Sequence, residues 1–300
     1  MSHPASNRSS VFGSRSRHEC TEMRLVLESV GISAVLAQHD GEWQVQVGQP
    51  HHDRAIAELE AYRLERSSDS FVAQPRQRVL PGAGWGVLVY VLTMISIYLL
   101  ATVSAYGWPW EAVGRLRAGD VMSGQIWQTV TALTLHADTG HLASNLMFGS
   151  LFGFLAGRIL GGGVAWLTIV LSGALGNLIN ALMRHADHTS IGASTAVFAG
   201  LGLLVAHAIV PRPGSRQSTR ERYMPLMAGV LMLAYLGTEG ERTDVLAHVA
   251  GFFSGLMVGW LACRIPERWL IKNSFQWCTG IATFFILSGA WTIAILMGRG

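Results

Sequence analysis

Charge is scarce in this chain. Charged residues make up 14% of its 300 positions against 50% hydrophobic, and a mean hydropathy of +0.33 is too high for an ordinary soluble domain. Cysteine is scarce as well. Cys20, Cys263 and Cys278 are odd in number and lack metal-type spacing, so neither a disulfide framework nor a zinc cluster is implied. Residues 1–19 are polar and carry no apolar stretch of the kind that signal peptides need, so a disordered tail and a cytoplasmic N-terminus are expected. On such a tail the Asn7-Arg8-Ser9 glycosylation pattern is accidental. A net charge of +3 and a pI near 9.0 raise the question of nucleic acid. The arginines instead fall in short segments flanking apolar runs and form no basic face with interleaved aromatics, so no nucleic-acid partner is expected.

What the chain does have is apolar length. Runs at about 84–105, 141–160, 163–183, 191–210, 224–238, 244–263 and 279–297 read as seven membrane helices, the fifth being the shortest. With the N-terminus inside, the basic segments lie inside: Arg76 and Arg78; Arg158; Arg212, Arg216, Arg220 and Arg222; and Arg264, Arg268 and Lys272. The other loops balance Arg115, Arg117 and Arg242 with Glu111, Asp120, Glu239, Glu241 and Asp244, which predicts an external C-terminus. Ahead of the runs, residues 20–67 read as a small helix-hairpin-helix unit. Met23–Val30 is helical with Gly31 as its cap, Asp40-Gly41 is a hairpin turn, and Ala55–Leu64 is a second helix. His51 and His52 read as a solvated loop pair. A linker over 68–83 joins this unit to the membrane part.

Polar groups inside apolar helices are expensive and mark function or pairing. Ser194, in Gly192-Ala193-Ser194-Thr195, and His248, in Ala247-His248-Val249-Ala250-Gly251, are such groups, one a potential nucleophile and the other a potential base. On the predicted topology they share a depth with His141 and Asn145, which lie four apart on one helix face. Small residues at Ala247, Gly251, Gly255 and Gly259 form one smooth stripe, and Thr195, Ala199 and Gly202 form another, so two helices carrying Ser194 and His248 can approach closely. Such stripes also occur in bundles where they mean only tight packing. His141 and Asn145 can donate hydrogen bonds to a developing oxyanion, as can the backbone N–H groups at a helix start. His136 and His141 are alternatively metal ligands, but no His-Glu-x-x-His occurs, nor a pair of aspartates within the apolar runs. A transporter would show charges along several spans or broken helices in repeated halves, and neither is present.

The series Trp127-Gln-Thr-Val-Thr-Ala-Leu-Thr-Leu-His136, His141-x-x-x-Asn145, Gly192-x-Ser194-x and Ala247-His248-x-x-Gly251-x-x-x-Gly255 resembles the rhomboid family of intramembrane serine proteases, over about residues 84–265. The resemblance implies an all-α polytopic fold. A six-helix bundle spans 84–265, a loop and seventh C-terminal helix span 266–300, and a small α+β cytosolic domain similar to those of some bacterial members comes first. It further implies a Ser194 nucleophile, a His248 base and an oxyanion site of His141, Asn145 and the Ser194 N–H. Phe198 would lie against the imidazole, with Gly192, Gly251 and Gly255 as backbone positions of the motif. Transmembrane protein substrates in a cell membrane, the bacterial inner membrane, are implied, with no cofactor or metal, and the fifth span as lateral gate. The alternative within the family is a catalytically weak binder of transmembrane helices. Three features depart from the family pattern or need separate account. Thr195 stands where Gly is commonest, Gln128 where Arg is usual, so that bracing ion pairs are expected to be missing, and His136 is implied to serve structure alone.

Overall fold

The computed structural model describes residues 8–68, 79–210, 219–237 and 244–298. The chain divides into two compact units, residues 1–77 and 78–300. The linker arginines Arg76 and Arg78, the loop arginines Arg212 and Arg216, and residues 238–243 of the loop with Arg242 lie outside the described residues.

The first unit runs β1 (Arg8–Ser14), α1 (Arg17–Ser29), β2 (Ala34–His39), β3 (Glu42–Gly48) and α2 (His52–Ser68). The strands form an antiparallel sheet of order β1-β3-β2. Asp40 at φ 49° and Gly41 at φ 81° both take the left-handed conformation that a two-residue hairpin needs, and Gly31 at φ 80° closes α1. Cys20, Met23 and Leu27 of α1, Val45 and Val47 of β3, and Ala55 and Leu59 of α2 make one core. Tyr62 and Arg66 of α2 both donate to Glu22 of α1, which holds that carboxyl below its usual range. The hairpin and both helices stand where the sequence indicates them, each helix longer than expected. Residues 8–14 correct the expectation of a disordered tail. Their short polar sequence has little strand signal of its own, but β3 offers an open edge, and Val11 and Phe12 pack against the core once paired. A register shift between Ser10 and Phe12 marks the strand as a bulged edge.

The second unit is helical. It contains α3 (Ala83–Thr102), the short α4 (Trp110–Gly114), β4 (Leu116–Arg117), α5 (Ala118–Met122) and α6 (Gln128–Thr131). There follow α7 (Thr139–Leu160), α8 (Gly162–Met183), β5 (Thr189–Ser190), α9 (Ser194–Ile209), α10 (Thr219–Gly237), α11 (Val245–Ala262), α12 (Glu267–Leu270) and α13 (Asn273–Met297). Five helices, α3, α7, α8, α11 and α13, are long and apolar enough to cross a membrane, and the chain is a multi-pass membrane protein. The other two expected spans are shorter apolar helices, Ser194–Ile209 and Tyr223–Tyr235. The fourth run was expected to be helical from about residue 191. Instead α9 starts at Ser194 and is 16 residues long, about 24 Å. The three residues before Ser194 are unwound because Gly192, at φ 131°, breaks the helix and donates its N–H to the carbonyl of Ala132, at 2.9 Å.

The seventh helix begins earlier than expected because Gln276 is a clamp. Its side chain donates to the carbonyls of Leu160 and Leu270, both at 2.9 Å, and accepts from the N–H of Val164 at 3.2 Å. That fixes α13 to the α7–α8 turn, where a Cβ at Gly163 would lie 1.9 Å from the Gln276 carbonyl oxygen.

Candidate active site

Ser194 is the first residue of α9, so its N–H belongs to the opening turn that has no partner within the helix. The segment leading to it is held on two sides. Gly192 bonds to Ala132, and β5 pairs with β4 through Leu116↔Ser190 and Arg117↔Thr189.

The helix carrying His248 meets α9 backbone to backbone. A Cβ at Gly251 would lie 2.3 Å from the Thr195 carbonyl oxygen, one at Gly255 2.0 Å from that of Ala199, and one at Gly259 2.7 Å from Leu203 Cα. The row on α9 is therefore Thr195, Ala199 and Leu203. Gly202, as expected, also packs on α11, where a Cβ would lie 2.1 Å from the Phe252 carbonyl oxygen. Thr195 does not hold the helices apart. Its methyl fits between Gly251 of α11 and Gly176 of α8, where each Cβ would be about 3 Å from it (3.0 and 2.9 Å). Glycine on the partners supplies the room that glycine at 195 would have given.

His248 is 7% exposed and Phe198 5%, and their rings lie 4.6 Å apart at 36°. Among the described residues the Ser194 hydroxyl makes no hydrogen bond. What joins it to His248 is the contact between their helices, and catalytic hydrogen bonds commonly tighten only in the substrate complex.

His141 comes in from α7. Asp138 caps that helix, accepting from the His141 N–H at 2.8 Å. The His141 ring covers Gly192: a Cβ there would lie 2.7 Å from Nε2 and 3.6 Å from Ser194 Oγ, so ring and hydroxyl flank one point. Asn145 is 5% exposed and donates one amide hydrogen to the His141 carbonyl at 3.0 Å, while Tyr90 bonds the Asn145 carbonyl at 2.7 Å. His136 packs edge-on to His141 with centroids 5.2 Å apart. Burial, helped by the neighbouring His141, pushes its pKa down to about 4, so this imidazole is neutral at ordinary pH.

One group went unnoticed in the sequence as part of this end of the bundle, and another was read differently. Asp244 caps α11 four residues before His248, and its carboxylate accepts from Asn180 at 2.6 Å, Arg184 at 2.8 Å and His188 at 2.9 Å. Burial works to raise its pKa, but these bonds and that from the Ala247 N–H outweigh it and hold it at about 2. Its position directly before an apolar helix was the available signal. Gln128 is the second. Bracing ion pairs were expected to be missing here, but Arg115–Glu111 and Arg117–Asp120 are paired, and the neutral Gln128 amide braces the segment between α4 and α6 as well: it accepts from the Arg117 N–H at 2.8 Å and donates to Gln125 at 3.1 Å and Asp120 at 3.3 Å.

Residues 123–265 match the family model described as the rhomboid domain. The chain carries a rhomboid domain. Among its relatives, this rhomboid is 28% identical over 243 residues to "Rhomboid-like protease 3" of Toxoplasma gondii, covering 77% of this chain and 92% of that protein. It is 31% identical over 154 residues to "Rhomboid-like protein 11, chloroplastic" of Arabidopsis thaliana, covering 47% of this chain and 54% of the relative. It is 26% identical over 148 residues to the "Putative rhomboid protease YdcA" of Bacillus subtilis, at 49% and 73%. The rhomboid domain makes the chain an intramembrane serine protease by class.

Proposed function

We propose that this rhomboid cleaves transmembrane helices of other membrane proteins near the outer face of a cell membrane, by acyl transfer through Ser194 and His248. The observation that carries the reading is the start of α9: Ser194 opens a helix inside the bundle, with the His141 ring and its own hydroxyl flanking Gly192 and the His248 helix sealed against it through Gly251. In the first step Ser194 Oγ bonds to the substrate's peptide carbonyl carbon as its proton passes to His248. The negative oxygen that results is met by the Ser194 N–H, the His141 ring and the second amide hydrogen of Asn145. Collapse expels the amine, which takes the proton from His248, and water then attacks the acyl-serine with His248 again as base. Phe198 orients the imidazole by packing on it, and Asp244 by fixing the first turn of α11. Substrate helices weakened by Gly, Pro or Ser suit the site, since a regular helix keeps its carbonyls hydrogen-bonded. Substrate enters past α10, which contains Pro225. The arginine distribution supports an inside N-terminus and an outside C-terminus.

The test is a fluorophosphonate probe on purified protein in liposomes, with a transmembrane substrate in parallel. Labelling and cleavage are expected in the wild type and lost in Ser194→Ala and His248→Ala. Labelling that survives Ser194→Ala removes the nucleophile, and a wild type that binds substrate helices without cleaving or labelling favours a binding protein.

A further inference from the structure

The seventh helix lies beyond the residues of the rhomboid-domain match, yet it is built into the end of the bundle where Ser194 stands. Trp291, near the C-terminal end of α13, is 7% exposed. Its ring fills a pocket shaped for it: a Cβ at Gly114 would lie 2.4 Å from Trp291 Cη2, and the Trp110 ring is 5.1 Å away. The indole N–H donates to Thr134 Oγ1 at 3.0 Å, and Thr134 in turn donates to the Thr131 carbonyl at 2.8 Å.

The tight turn Ala132–Thr134 that receives this bond has two other connections. Through the Ala132 carbonyl it holds the N–H of Gly192, two residues before Ser194. Through Leu135, 1% exposed and in one cluster with Trp110, Trp291 and Ala294, it leads directly into His136, whose ring packs on His141. Ile191, next to Gly192, packs against the same cluster. One indole thus braces the turn from which both the Ser194 segment and the His141 arm depart.

We propose that Trp291 is a positioning residue of the active site: by holding the Ala132–Thr134 turn it sets where the Ser194 N–H and hydroxyl stand relative to the His141 ring, so that the seventh helix is part of the catalytic architecture. This rests on Ser194 being the nucleophile. An error of about 1 Å in such a site is enough to lower the rate roughly a hundredfold, so a brace this near has leverage on rate out of proportion to its share of stability.

Trp291→Phe tests it, because a smaller ring still lies against Trp110 while the N–H and the part of the indole facing Gly114 are lost, and Thr134 keeps its bond to Thr131. The expected result is a fall of about tenfold in fluorophosphonate labelling rate and in kcat at a temperature where the variant is folded, with KM for a transmembrane substrate nearly unchanged and a lower thermal midpoint from the void beside Gly114. Thr134→Val removes the same bond from the other side and is expected to give a similar loss, the double variant losing no more than either alone. Phe285→Leu, on an exposed stretch of the same helix, is expected to label like wild type. Wild-type labelling rates in Trp291→Phe and Thr134→Val, or losses that only follow a lowered midpoint, overturn the proposal. Labelling abolished by Ser194→Ala yet untouched by Trp291→Phe overturns it alone, whereas labelling that persists in Ser194→Ala overturns the nucleophile and this inference together.

Discussion

The helices α9 and α11 pack on each other in one way and α10 packs beside them in another, and the contrast separates what holds the candidate site from what can move around it. Within the pair, Gly251, Gly255 and Gly202 face backbone carbonyls of the partner, so any side chain added there meets atoms that cannot rotate away. In α10, the atoms nearest a Cβ at Gly229 are side-chain ones, Val205 Cγ2 and the edge of the Phe252 ring. Met227, Leu231 and Tyr235 of α10 are 61–70% exposed to whatever surrounds the bundle. Apolar burial gives no drive between helices in lipid, so close backbone packing is what makes one contact rigid and the other adjustable. Polar anchors reinforce the division. Asp244 ties the first turn of α11 to α8 and to the approach to β5.

The comparison can be broken most severely at the seam. Gly255→Leu is expected to abolish labelling and to lower the thermal midpoint sharply, because the added carbons have no room beside the Ala199 carbonyl; overpacking of this kind costs about 1–3 kcal/mol or more. A variant that labels normally would mean the seam is not rigid. Asp244→Ala comes next. It strips three side-chain donors and the Ala247 N–H of their acceptor at once and should destabilise by about 2–4 kcal/mol, with loss of activity, measured by thermal unfolding and labelling side by side. Asp244 also makes a pH prediction. Its pKa of about 2 is below the unfolded value near 4, so its contribution is intact above pH ~4 and drains away as the pH falls toward 2; in Asp244→Asn this acid limb should flatten.

His136 gives a smaller effect in a separate window. Its pKa of about 4 lies below the unfolded ~6.5, so protonation favours the unfolded chain and stability should fall as pH drops from about 6.5 to 4. His136→Phe, compared with wild type by thermal midpoint against pH, should reduce that slope. The smallest effect belongs to the adjustable side. Leu231→Ala in α10, at a position 64% exposed, should change the midpoint by no more than about 0.5 kcal/mol equivalent and leave probe labelling unaltered. A large loss there would place α10 among the rigid elements and end the contrast.

Much of this was legible in the chain itself. The apolar runs, the Asp40-Gly41 hairpin, the glycine stripe of α11 and the spacing of His141 and Asn145 are local patterns with direct physical meaning, and each is found in the structure as an element or a face. β1 was not legible, because an edge strand of polar residues exists only once β3 is there to pair with it. Nor was the start of α9 at Ser194, since the apolar run gives no reason to unwind before it. The Gly192 bond to Ala132, sixty residues earlier in the chain, supplies that reason.

The sequence by itself determined which residues could carry chemistry in an apolar setting and which helix faces could touch, because both depend on residue type and a fixed 3.6-residue period. Only the tertiary structure decided how Thr195 is tolerated, what braces the segment around Gln128, and that Trp291 of the last helix reaches the turn beside Ser194. Those outcomes rest on partners far apart in the chain. Distances between such partners are set by packing, which no local pattern encodes.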